Sequence, residues 1–201
     1  MPTTKTSLQP QLRAVEGRGL LELAVGAASA APTLGAVILS MSSSDIIAGV
    51  EIEAGTLWPD DRGYFSELFR LSDSGGAGFT RGFGASIQIS AALSHAGTIK
   101  AFHYHCRQTD LWAPLRGNLQ VALYDLRVGS PSFGRTNTLY IGEWRPWRLR
   151  IPPGVAHGYK VIGGAEALLV YATDRFYDPA DEGRLPYNDT GIAYDWETQH
   201  K

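Results

Sequence analysis

From Ile46 onward the chain alternates apolar and polar residues in short runs. GVEIEAG, YFSELFR, GASIQISAALS, TIKAFHYH, DLWAPLRG, LQVALYDLR, TLYIG, WRLRIP, HGYKVI and ALLVYATD are rich in β-branched and aromatic residues. Gly, Pro, Asp and Ser punctuate them at the spacing of an all-β barrel or sandwich. No long stretch keeps the 3.6-residue apolar period of a helix, and there is no internal repeat. DPADEGRLPYNDTG reads as turn and loop, and YDW as a short closing element.

Residues 1–45 differ, being rich in Ala, Gly, Ser and Thr. Leu20 to Met41 is fairly apolar, but Glu22 and Pro32 interrupt it, which makes a poor membrane span. A signal peptide fits no better, because the apolar run starts late and follows Glu16. Residues 1–45 are therefore expected to form a weakly ordered extension, with Met41 as an alternative start, and residues 46–201 a single domain.

Composition narrows the partners. The 201 residues carry a net charge of −2, with 19% charged and 44% hydrophobic residues. That is enough apolar content for a sizeable core, and the balance gives no basic surface for nucleic acid or an acidic membrane. The lone cysteine, Cys106, excludes an intrachain disulfide and suits a reducing cytoplasm. It is expected to be a half-buried strand thiol.

Candidate chemistry centres on the histidines. Gly97 to Gly117 reads GTIKAFHYHCRQTDLWAPLRG, and further on IPPGVAHGY carries His157. Residues two apart on a strand share a face, so His103 and His105 point one way and Phe102 and Tyr104 the other. Asp110 lies past a turn, where a partner strand can bring it alongside. His157 begins another strand after the Pro152-Pro153-Gly154 turn. His103, His105, Asp110 and His157 are a competent set for a divalent transition metal.

These two blocks resemble the paired motifs of cupins, with Asp110 where Glu is usual. The resemblance implies a double-stranded jelly-roll barrel. From about Gly49 to Trp196 the chain is similar more narrowly to the dTDP-4-dehydrorhamnose 3,5-epimerases, through WPDDRGYFSELF, SIQISAALSHAGTIKAFHYH, LYDLRVGSPSFG, IPPGVAHGY and YATDRFYDPADEGRLPYND. The resemblance implies a nucleotide-diphosphate 4-keto-6-deoxy sugar as substrate, in deoxysugar or polysaccharide biosynthesis. A proton next to the ketone would be removed and replaced without a cofactor. His103 matches the base, and the reference histidine pKa of about 6.5 suits that role. Tyr171 matches the opposite-face acid, a role suited to a phenol with a reference pKa of about 10. Arg62, Glu67, Gln88, Lys100, His157 and Tyr177 match substrate-binding positions. A homodimer made by exchanging or pairing strands is implied as well.

The chain also departs from that pattern. Lys100, Ser90, His105 and Asp110 stand where the family has Arg, Asn, Gln and Lys. The C-terminal tail whose aspartate orients the catalytic histidine is missing, and Asp110 is a candidate to replace it. Two further outcomes therefore stay open beside the epimerase. One is a metal-dependent cupin enzyme using His103, His105, Asp110 and His157. The other is a sugar-nucleotide-binding cupin without catalysis.

Overall fold

The computed structural model describes residues 9–15, 19–25, 31–72, 75–84 and 86–199. Strands β1 (Gln9–Val15) and β2 (Gly19–Val25) form an antiparallel hairpin, and β5 (Trp58–Asp60) pairs with β6 (Gly63–Phe65) in another. The other strands are β3 (Ala36–Val37), β4 (Glu51–Ala54), β7 (Gln88–Ser94), β8 (Ile99–His105), β9 (Asp110–Arg116) and β10 (Asn118–Asp125). They continue with β11 (Thr136–Gly142), β12 (Trp147–Ile151), β13 (Val155–Ile162), β14 (Ala167–Thr173) and β15 (Glu182–Arg184).

Two sheets face each other. One has the order β15-β8-β13-β10-β11-β3 and the other β4-β12-β9-β14-β7. From β7 to β9, and again from β11 to β14, successive strands cross from one sheet to the other, as in the expected jelly roll. Among the described residues all ten apolar runs contribute to strands, although YFSELFR does so only through its first two residues.

The space between the sheets is filled at one end by Leu119, Val121 and Leu123 of β10, Leu139 and Ile141 of β11, and Leu149 and Ile151 of β12. All are at most 1% exposed, and burying each contributes roughly 1.5–3 kcal/mol. A second apolar cluster covers the outer face of the six-stranded sheet. There Phe102 and Tyr104 of β8 pack with Leu23, Ile192, Tyr194 and Trp196. The Phe102 ring lies 5.6 Å from that of Trp196 and 6.3 Å from that of Tyr194, so YDW closes the barrel on this side.

Parts of the segment expected to be an extension are joined to the barrel. Leu23 is buried in the second cluster, Thr33 bridges to Tyr194, and β3 runs parallel to β11 as an edge strand. Residues 1–8, 16–18 and 26–30 of that segment lie outside the described residues.

Two glycines fix the geometry around the histidines. Gly154 in the Pro-Pro-Gly turn has φ +79°, and a Cβ there would stand 2.4 Å from Arg127 Cγ. Its N–H donates to the carbonyl of His105 at 2.7 Å, tying the two histidine blocks together. Gly183 of β15 lies flat on the Tyr104 ring, where a Cβ would come within 2.0 Å of Cζ.

Candidate active site

The other end of the sandwich holds a cavity of about 340 Å³. Lys100, His103 and His105 of β8, and His157 and Tyr159 of β13, line it from the six-stranded sheet. Gln88 and Ala92 of β7, Asp110 and Trp112 of β9, and Leu169, Tyr171 and Thr173 of β14 line it from the five-stranded sheet. His103 and Tyr171 therefore stand on opposite walls.

A β-bulge shapes the first wall. His157 pairs with His103 and Tyr159 with Lys100, so two steps along β13 match three along β8. Strict alternation would turn Lys100 away from His103. The extra residue restores it to the same face, and both line the cavity.

His103 has a carboxylate partner. Its Nδ1 lies 3.4 Å from Oε1 of Glu182, which is nearly buried and also paired with Arg184. Burial pushes the His103 pKa below 6.5, helped by the neighbouring His157, while the Glu182 charge opposes the shift. Net, the imidazole is neutral near pH 7, with its Nδ1–H directed to the carboxylate and Nε2 left to accept a proton.

Asp110 is engaged elsewhere. Its Oδ2 lies 3.4 Å from Nε2 of His157, whose Nδ1 sits 3.0 Å from the Val155 carbonyl. Gln108 Nε2 donates to Asp110 Oδ1 at 2.7 Å and lies 3.2 Å from His105 Nε2. Burial pushes the Asp110 pKa up, but the neighbouring His157 and His105 imidazoles and the Gln108 amide outweigh it and hold the carboxyl below 3.8. Burial likewise lowers the His105 pKa, against the pull of Asp110. The intervening turn is held by Asp181, which accepts from the backbone N–H groups of Cys106, Arg107 and Gln108.

The expected site residues thus fall into two groups. His103, Tyr171, Gln88, Lys100, His157, Tyr177, His105 and Asp110 share the cavity. Gln88 also accepts from the Tyr177 backbone N–H at 2.9 Å, fixing the rim. Arg62 and Glu67 are not brought to the cavity. Arg62 is 83% exposed and paired with Asp60 at 2.5 Å, and Glu67 pairs with Arg70 at 2.8 Å. Both belong to the β5–β6 hairpin and the coil after it, where local partners satisfy them.

Three details correct the sequence-based expectations. The carboxylate facing His103 is Glu182, not Asp110, because β15 pairs with β8 and brings Glu182 to Nδ1, while Asp110 is engaged by His157 and Gln108. Glu182 itself lies in DPADEGRLPYNDTG, which reads as turn and loop but supplies β15, paired to β8 with Glu182 opposite His105. Cys106 is buried rather than half-buried, one residue past β8. Trp112, Thr173 and Arg184 also line the cavity. Their inward parity on β9 and β14 was readable for the first two, and nothing in the sequence pointed to Arg184.

Comparisons with known proteins agree with the jelly-roll fold. Residues 45–201 match the family model of dTDP-4-dehydrorhamnose 3,5-epimerase. The spore coat polysaccharide biosynthesis protein SpsL of Bacillus subtilis is 42% identical over 158 residues, 78% of this chain and 100% of that protein. The crystal structure of a dTDP sugar isomerase from Desulfovibrio desulfuricans G20 superposes with a TM-score of 0.68 at 25% identity, covering 77% of this chain and 94% of that one. The epimerase RmlC of Legionella pneumophila, in complex with dTDP-4-keto-L-rhamnose, superposes with a TM-score of 0.62 at 26% identity, covering 76% and 80%.

Proposed function

The chain belongs to the dTDP-4-dehydrorhamnose 3,5-epimerase family, and from that membership we propose that it inverts a carbon beside the ketone of a dTDP-linked 4-keto-6-deoxy sugar. The observation that carries the mechanism is the placement of His103 and Tyr171 on opposite walls of one cavity. Nε2 of His103 takes the proton from the carbon next to the ketone. The C–H electron pair moves into a C=C bond and the negative charge passes to the ketone oxygen. The Tyr171 hydroxyl then gives a proton to the same carbon from the other side, inverting it. Glu182 holds the base by Nδ1 and stabilises the imidazolium formed.

The remaining roles are binding. Lys100 and Arg184 are the cations of the cavity and suit the diphosphate. Gln88, His157 and Tyr177 contact the sugar and nucleotide, and neither proton transfer calls for a cofactor. Arg62 and Glu67 act at substrate only across a homodimer interface, which is also part of the proposal. A role in polysaccharide biosynthesis is supported by the similarity to SpsL. A cytoplasmic setting is supported by the single buried thiol Cys106. Among the described residues no helix is long and apolar enough to cross a membrane.

Incubation with dTDP-4-keto-6-deoxyglucose in deuterium oxide is the test. Deuterium is expected at one or both carbons flanking the ketone. Folded protein that leaves both carbons unlabelled sinks the assignment.

A further inference from the structure

One cluster in the cavity has no part in the proton transfers. His105, Asp110 and His157 each offer a ligand atom within 4.8 Å of the other two, and all three are buried. They come from both sheets: His105 from β8, His157 from β13 and Asp110 from β9. We propose that His105, Asp110 and His157 bind one divalent transition-metal ion at the floor of the cavity.

The geometry carries this. His157 Nδ1 faces the Val155 carbonyl, so its ring proton sits there and Nε2 presents a lone pair to Asp110 at 3.4 Å. Two acceptors facing each other need a cation between them. Two ligands on one metal, with bonds of about 2.1 Å at the tetrahedral angle, stand about 3.4 Å apart. A proton on His157 would satisfy this pair alone. It would leave Nδ1 of His105 buried without a hydrogen-bond partner, an expensive arrangement in a dry site. A metal draws on all three residues. Gln108 Nε2 donates to Asp110 Oδ1 at 2.7 Å, the usual way a carboxylate ligand is held from behind.

Two imidazoles and a carboxylate favour zinc, cobalt, nickel or iron over magnesium or calcium. His103 is outside the set, since it is not among the residues whose ligand atoms all lie within 4.8 Å of one another. The four-ligand set suggested by the sequence therefore contracts to three, which leaves the ion open positions and His103 its role as base. Bound there, such an ion supplies a Lewis acid for a ketone oxygen. The site itself does not rest on the epimerase assignment.

The test is metal binding by the full untagged chain, purified without chelator and analysed for elements, then stripped and titrated with Co²⁺. About one Co²⁺ per chain is expected, with visible d–d absorption and a raised melting temperature. His105→Gln and Asp110→Asn should each weaken binding at least roughly tenfold, while His103→Asn should keep it. Thermal melts show which variants fold, and the two ligand variants check each other. Uptake below about a tenth of an ion per chain by wild type overturns the proposal. So does uptake that survives both ligand variants, and so does loss confined to His103→Asn. Deuterium exchange plays no part in this readout, so either assignment can fail without the other.

Discussion

His103 is poised by two opposing influences. Burial and the adjacent His157 favour its neutral form, and the Glu182 carboxylate favours its charged form. Burial wins, so the base is protonated only below 6.5. The activity, kcat/KM, should therefore be fully present near pH 7 and fall as pH drops through a value below 6.5, measured as a pH–rate profile. His103→Ala should cost about 10²–10⁴-fold in kcat. Glu182→Gln removes the influence that raises the His103 pKa. Its acid limb should move to lower pH while kcat falls roughly tenfold or more, and Glu182→Asp should recover part of both. A merely structural role for Glu182 would lower activity without moving the limb.

At the scale of elements, β15 shows how much rests on three residues. It holds Glu182 against β8 because Gly183 lets the strand lie on the Tyr104 ring. Gly183→Ala would drive a methyl group into that ring, which is buried and cannot swing aside. A stability loss of about 1–3 kcal/mol is expected, with a matching loss of kcat, measured by urea denaturation and steady-state kinetics. The end of β10 rests on a different device. Asp125 is fully buried and accepts from Arg127 Nε at 2.7 Å and from the hydroxyls of Ser130 and Ser132. Arg127 in turn donates to the Ala48 carbonyl at 2.6 Å. Burial raises the Asp125 pKa, but Arg127 and the two serines outweigh it and hold the carboxyl below 3.8. A depressed carboxylate contributes stability above its unfolded pKa, and that contribution is lost as pH falls through the folded value. Asp125→Ala should cost about 3–5 kcal/mol at neutral pH by leaving Arg127 unpaired. It should also flatten the decline in stability below about pH 4, read from denaturation curves at several pH values.

These elements also mark what the sequence could reveal. Long alternating strands such as β8 and β14 were legible because a partly buried strand imposes period two on its residues. The shared face of His103 and His105 followed directly. Glu182 was hidden because a three-residue edge strand buries too little to impose a pattern, and Pro179 and Pro186 flank it with turn chemistry. The carboxylate partner of His103 is hidden from local sequence for a related reason. The CRQT turn between His105 and Asp110 carries the chain to the opposite sheet, and local sequence does not say which sheet a turn leads to. The Lys100 bulge is invisible to a strict count of two, and only the family resemblance pointed to that residue.

At the scale of the molecule, apolar surface is left uncovered on the β5–β6 hairpin and on the edge strand β7. Phe65 on the β5–β6 hairpin is 69% exposed, and Ile89 on the edge strand β7 is 60% exposed, with Trp58, Tyr64 and Leu93 also largely exposed. A bare sheet edge and exposed aromatic side chains are what a second copy would cover. Light scattering on the full chain should give the mass of a dimer, and Phe65→Asp combined with Leu93→Asp should give that of a monomer. Wild type that scatters as a monomer at micromolar concentration would remove the dimer, and with it any role for Arg62 and Glu67 at substrate.

The cavity has one wall on each sheet, and that makes its occupant a clamp. A nucleotide sugar bridging Lys100 and His103 to Tyr171 would join two layers that are otherwise held by the apolar core at the far end. Opening of the sandwich at the site end and release of the ligand then become one event. Ligand at a hundred times its Kd would add about 2.7 kcal/mol to global stability. Amide exchange in β7 and β14, at the open edge of the five-stranded sheet, should slow more than in β10, which already lies deep in the core. Residence time on this protein would be set less by any single contact than by how often the two layers part.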